Sequence, residues 1–75
     1  MRGIEADGER IARLRLSLHL TQEELGAMAD CDVKTILSSE KGRRMDIATL
    51  RRIAAALNVP TARIAQPVFS SEVTE

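Results

Sequence analysis

Seventy-five residues leave room for one domain, and eleven basic against eleven acidic side chains leave it without net charge, which gives no global electrostatic sign of a nucleic-acid partner. The single cysteine, Cys31, excludes an intrachain disulfide and a cysteine-built zinc site. No apolar stretch reaches the roughly 18 residues that cross a bilayer, and no basic-then-apolar signal pattern opens the chain, so the expected compartment is the cytoplasm.

A domain of this size buries only about 60% of its unfolded surface and needs economical packing. The chain is rich in Ala, Leu, Ile and Arg, with Phe69 as its one aromatic residue, and that mixture favours helices. Residues 1–7 are expected to be a flexible arm, 8–66 the folded domain and 67–75 a loose polar tail.

The first helix is predicted from Gly8 to Leu18. Ile11, Leu14 and Leu18 share its apolar face, with Arg10, Arg13 and Arg15 around it. His19 ends it, since histidine tolerates the left-handed conformation better than most residues. Thr21 opens a second helix through a capping box that places Glu24 at the third helical position. Leu25, Met28 and Ala29 form its expected inward stripe. Asp30 and Cys31 make a turn, and Asp32 is the expected N-cap of a third helix from Val33 to Lys41, which Gly42 stops. After Arg43, Arg44 and Met45, Asp46 caps a fourth helix that reaches Leu57 with Leu50, Ile53, Ala54 and Leu57 inward. Asn58 suits its end. Pro60 begins a short fifth helix through Ile64.

The second and third helices are thus joined by about three residues. So short a link between two apolar-faced helices is helix-turn-helix geometry, in which the second helix protrudes far enough to enter a groove. Charge distribution agrees with it. From Val33 to Arg52 six basic residues (Lys34, Lys41, Arg43, Arg44, Arg51, Arg52) stand against two acidic ones (Glu40, Asp46).

The ordered series Ile11-Ala12-Arg13-Leu14-Arg15, Leu20-Thr21-Gln22-Glu23-Glu24-Leu25, Thr35-Ile36, Glu40-Lys41-Gly42-Arg43 and Thr49-Leu50-Arg51-Arg52-Ile53 resembles the phage-repressor/Cro-type, or xenobiotic-response-element-type, helix-turn-helix family. The resemblance spans Arg10 to Ile64. It implies an all-α, compact five-helix, lambda-repressor-like DNA-binding domain that regulates transcription, with repression as the expected sign. Thr21 and Gln22 would meet a DNA phosphate at the positive end of the second helix. The third helix would be the recognition helix, with Val33, Lys34, Leu37 and Ser38 towards the bases. Lys34 would donate to guanine O6 and N7, Ser38 to either type of base pair, and Val33 would touch a thymine methyl. Ile36 would instead pack against Leu25 and Leu50. Lys41, Arg43 and Arg44 would contact phosphates, and Arg15 and Glu40 would form a structural ion pair. Plainer roles suit the same residues: a helix cap for Thr21 and Gln22, solvent exposure for the third helix, a solvated basic loop for residues 41–44. Three departures from the family pattern stand out: His19 where glycine is usual, Ser39 where a larger apolar residue is usual, and a loop after Gly42 that is one residue short and lacks a proline.

One histidine with no carboxylate or cysteine cluster around it points to a helix cap instead of catalysis or a metal. No nucleophile–base pair, phosphate loop or paired carboxylates support an enzyme. No cofactor, metal, small-molecule substrate or membrane contact is expected, and the expected partners are double-stranded DNA and a second copy of the chain. That homodimer would join through Leu57, Pro60, Ile64, Val68 and Phe69 and bind two half-sites about one DNA turn apart. The competing expectation is a protein-interaction module of the same fold, or the N-terminal part of a larger signalling protein. Zero net charge and outward Leu16 and Leu37 favour that alternative.

Overall fold

In the computed structural model, which describes residues 3–66, the elements run β1 (Ile4–Glu5), α1 (Gly8–Ser17), α2 (Gln22–Ala29), α3 (Val33–Glu40), β2 (Arg44–Met45) and α4 (Ile47–Leu57), followed by a 3-10 turn over Thr61–Arg63. Local chemistry sets most of these bounds. Asp7 accepts from Arg10 N at 3.2 Å and caps α1. Thr21 and Glu24 close the capping box of α2, with Glu24 N donating to Thr21 Oγ1 at 3.0 Å and Thr21 N to Glu24 Oε1 at 2.8 Å. Asp30 (φ 59°) and Asn58 (φ 64°) adopt the left-handed conformation directly after α2 and α4, and His19 (φ 59°) does so one residue beyond the Leu18 cap of α1. Asp32 and Asp46 occupy the N-cap positions of α3 and α4 on extended backbone, but neither side chain caps its helix.

The core gathers one or two large side chains from each α-helix and one from the end of the 3-10 turn. Ile11, Leu25, Ile36, Leu50, Ile53 and Ile64 are fully buried, with Ala6, Ala29, Ala54 and Leu57 completing the cluster. Helix α2 packs against both α3 and α4, and α1 packs against α3. Two expected inward residues lie outside. Leu18 is 45% exposed because α1 ends at Ser17, and Met28 is 56% exposed because the inward arc of α2 runs through Leu25, Gly26 and Ala29. Ser39 is fully buried, and its hydroxyl is satisfied by the Ile36 carbonyl at 2.7 Å.

Two expectations at the chain ends are corrected. Of the expected flexible arm, residues 4–7 are paired backbone: Ile4 and Glu5 stand antiparallel to Met45 and Arg44, and Ala6 bridges to Ala65 on the other side. Asp7 N donates to Ile64 O at 2.7 Å and Gln66 N to Glu5 O at 2.8 Å, so β1 lies between β2 and residues 64–66. Ile4 packs on the core and Ala6 is buried, an alternation of period two that holds the segment down. The expected fifth helix is a single 3-10 turn, in which Arg63 N and Ile64 N reach back three residues to Pro60 O and Thr61 O. Among the described residues the domain is therefore four α-helices and a 3-10 turn tied by a short ribbon.

Gly8 is where α1 touches the end of α3. A Cβ there would lie 2.6 Å from the Glu40 carbonyl carbon and 2.9 Å from Gly42 N, inside any real carbon contact. Cys31 packs against the core from the turn after α2, and burial pushes its thiol pKa up, against the pull of the Arg52 charge. The folded chain is therefore expected to alkylate with iodoacetamide more slowly at pH 8 than the urea-unfolded chain. Equal rates would show that packing does not protect the thiol.

Candidate nucleic-acid interface

The corner between α2 and α3 is built from Asp30, Cys31 and Asp32. Asp30 supplies the left-handed turn, and Cys31 N returns to Gly26 O at 2.9 Å. Gly26 is buried, and a Cβ on it would stand 2.8 Å from Cys31 O, so a bare backbone is required for the turn to close this tightly. Arg52, on α4, donates from Nε to Ala29 O at 3.1 Å and satisfies the C-terminal end of α2, whose last turn has no basic residue of its own. By sequence alone Arg52 is one more basic residue of the local surplus. The open carbonyls of α2 were the available signal, although sequence spacing alone does not say which basic residue meets them.

Burial orients α3. Ile36 and Ser39 face the core, so the opposite side of the helix presents Lys34 and Leu37, both exposed, with Val33 and Ser38 half-buried at its flanks. None of Lys34, Lys41, Arg43 and Arg44 is ion-paired with a carboxylate among the described residues. Three backbone bonds, Gly42 N to Ser39 O at 3.0 Å, Arg43 N to Ser38 O at 3.2 Å and Ala6 N to Arg43 O at 3.4 Å, fix the basic loop to the end of α3 and to the ribbon. Lys41 and Arg43 project from that loop. Arg44 also donates to Gly3 O at 3.4 Å, which engages part of its guanidinium in the ribbon.

The end of α3 is anchored by an ion-pair network. Arg15 Nε meets Glu40 Oε2 at 2.6 Å and its second fork nitrogen meets Oε1 at 3.2 Å, while the remaining nitrogen donates to Leu20 O at 2.9 Å. Glu40 raises the Arg15 pKa above its already high ordinary value through this bond, so the guanidinium stays charged. Gln22 Nε2 donates to the same Glu40 Oε1 at 3.0 Å, which leaves the Gln22 amide one further N–H for another acceptor. Thr21 accepts from Glu24 N and keeps its hydroxyl proton to give. The network thus joins α1, the start of α2 and the end of α3 at one carboxylate.

Leu57 and Ile64, expected on a dimer surface, are buried in the domain's own core and have no side chain left to offer a second copy. Pro60 is exposed, while Val68 and Phe69 lie outside the described residues. Among the described residues no three or more His, Cys, Asp or Glu side chains gather as a metal site would need, and no helix is long and apolar enough to cross a membrane.

Comparison with known proteins places this geometry. A family model described as helix-turn-helix matches residues 11–64. Among solved structures, the restriction-modification controller protein C.AhdI from Aeromonas hydrophila is similar, with a TM-score of 0.69 and 27% identity over 73% of this chain and 85% of the controller. No curated protein matches the chain.

Proposed function

Because the chain belongs to the Cro/C1-type helix-turn-helix family, we propose that it is a sequence-specific, repressor-like regulator that binds double-stranded DNA by laying α3 in the major groove. The observation that carries this is the outward face of α3, held by the Arg15–Glu40–Gln22 network and followed directly by the basic loop. Val33, Lys34, Leu37 and Ser38 address base edges. Thr21 and Gln22 at the positive end of α2, with Lys41, Arg43 and Arg44 beyond α3, hold phosphates on either side. Family membership and the controller neighbour mark the protein as a regulator and not an enzyme.

A lone module of this kind buries only about 600–1,000 Å² on DNA, which favours a two-fold dimer on half-sites about 34 Å apart. With Leu57 and Ile64 committed to the core, Pro60, Val68 and Phe69 remain as its candidate contacts. Selection from a random duplex pool at moderate and low salt tests the whole reading. A symmetric motif enriched at moderate salt is the expected result. Retention at low salt alone, without a motif, would overturn specific recognition and bring forward an interaction module, which the 60% exposure of Leu16 favours.

On the selected duplex, the triple change Lys41→Gln, Arg43→Gln, Arg44→Gln is expected to weaken binding uniformly across sequences. The slope of log affinity against log salt should become shallower by about 5.4, since the dimer loses three phosphate contacts in each protomer and each contributes roughly 0.9. An unchanged slope would remove these residues from the backbone contacts.

A further inference from the structure

Two apolar side chains, Val33 and Leu37, share the outward face of α3 with Lys34 and Ser38. Four residues apart, they lie one above the other along the helix, and Leu37 keeps 38% of its surface exposed. A single exposed leucine is ordinary on a protein surface. Its position here makes it informative, because the major-groove floor is lined with hydrogen-bonding atoms and carries one apolar group, the thymine C5-methyl. Pressed against a G·C pair, an isobutyl group would strip water from polar base atoms and give them no partner.

The two polar neighbours discriminate less. Lys34 offers a mobile point charge where arginine would offer a rigid fork, and the Ser38 hydroxyl donates or accepts for any base. Lys41, Arg43 and Arg44 supply attraction without sequence preference. The same charges name the occupant of this face as a polyanion, since the outward side of α3 carries Lys34 and no acidic residue.

Resting on the DNA-binding function proposed above, we infer that Leu37, with Val33 beside it, is the specificity-determining residue of the recognition helix, and that each operator half-site sets a thymine C5-methyl against it. The interface then divides its tasks. Basic side chains draw in the duplex, and an apolar contact selects the sequence.

Duplexes enriched from the random pool are to be resynthesised with deoxyuridine in place of thymidine, one position at a time, which deletes the methyl and leaves base pairing intact. The wild-type chain is expected to lose about fourfold in affinity for each contacted methyl. Leu37→Ala, an exposed substitution whose fold circular dichroism checks, is expected to lose about 16-fold on the thymidine duplex, since both protomers of the dimer lose the contact. It should then be indifferent to the uridine swap at those positions, with the salt slope unchanged. Equal wild-type affinity for every uridine duplex, or a Leu37→Ala chain still sensitive at the same positions, overturns the inference while DNA binding stands. A wild-type chain that retains no duplex even at low salt overturns the DNA-binding function, and the inference with it.

Discussion

Arg15→Ala is expected to abolish the cooperative folding of the domain near room temperature. The Arg15 and Glu40 side chains are 12% and 10% exposed, so deleting the guanidinium leaves a nearly buried carboxylate with the Gln22 amide as its sole remaining side-chain donor among the described residues. The Leu20 carbonyl loses its donor in the same step. Breaking a buried pair by removing one partner costs about 3–5 kcal/mol, and a core of this size supplies rarely more than about 3–5 kcal/mol in total. Thermal melting followed by circular dichroism reads the result, and a loss of only a few degrees would show that water repairs the site. Arg15→Met combined with Glu40→Leu is expected to restore most of the lost stability, because removing both charges removes the uncompensated one. Failure of that double variant would mean that the fork geometry, more than charge balance, holds α1 to α3.

Gly8→Ala should be nearly as damaging, and its sign is the informative part. Helix propensity alone favours alanine by about 1 kcal/mol. Here the added carbon would enter the backbone of residues 40–42, which cannot rotate aside as a side chain does. Relief requires α3 to draw back from α1, and that movement pulls Glu40 from Arg15. A net loss of about 3 kcal/mol, the upper range for overpacking, is expected in urea denaturation. Weakened DNA binding is expected below the transition, since the end of the recognition helix shifts. A stabilised Gly8→Ala chain would show that α1 and the end of α3 leave room for a methyl group between them.

What the sequence made legible was local or carried by resemblance. The capping box of α2 spans four residues, Thr21 to Glu24, and its reciprocal bonds follow from two side chains and their spacing. His19 at a left-handed position followed from the need to end α1. Arg15 and Glu40 stand 25 positions apart, and family likeness, not spacing, paired them. Other features were hidden for physical reasons. A two-residue strand such as Ile4–Glu5 is too short to display alternation, so the ribbon looked like a free arm. Leu57 and Ile64 are apolar near the end of the fold, and composition does not distinguish a residue that closes its own core from one that seeks a second copy. Asp32 and Asp46 have the right identity and position for caps, yet the side chains turn elsewhere, with Asp46 accepting from Thr49 Oγ1 at 3.5 Å. Arg52 meets Ala29 through tertiary approach of α4 to α2, which no local pattern records.

The ribbon has a mechanical consequence. Because β1 runs antiparallel to residues 64–66, Gly3 and Gln66 leave the ladder at the same end. Tension applied through these two points acts across hydrogen bonds that lie perpendicular to the strands, loading them in succession. The bond from Gln66 N to Glu5 O yields first and that from Asp7 N to Ile64 O next, after which Ile64 is drawn from the core. Shear geometry, in which all bonds resist together, is absent from this pair. Rupture therefore begins at the seam between β1 and residues 64–66, while the α2–α3 corner, fixed from within by Gly26 and Arg52, bears none of the early load.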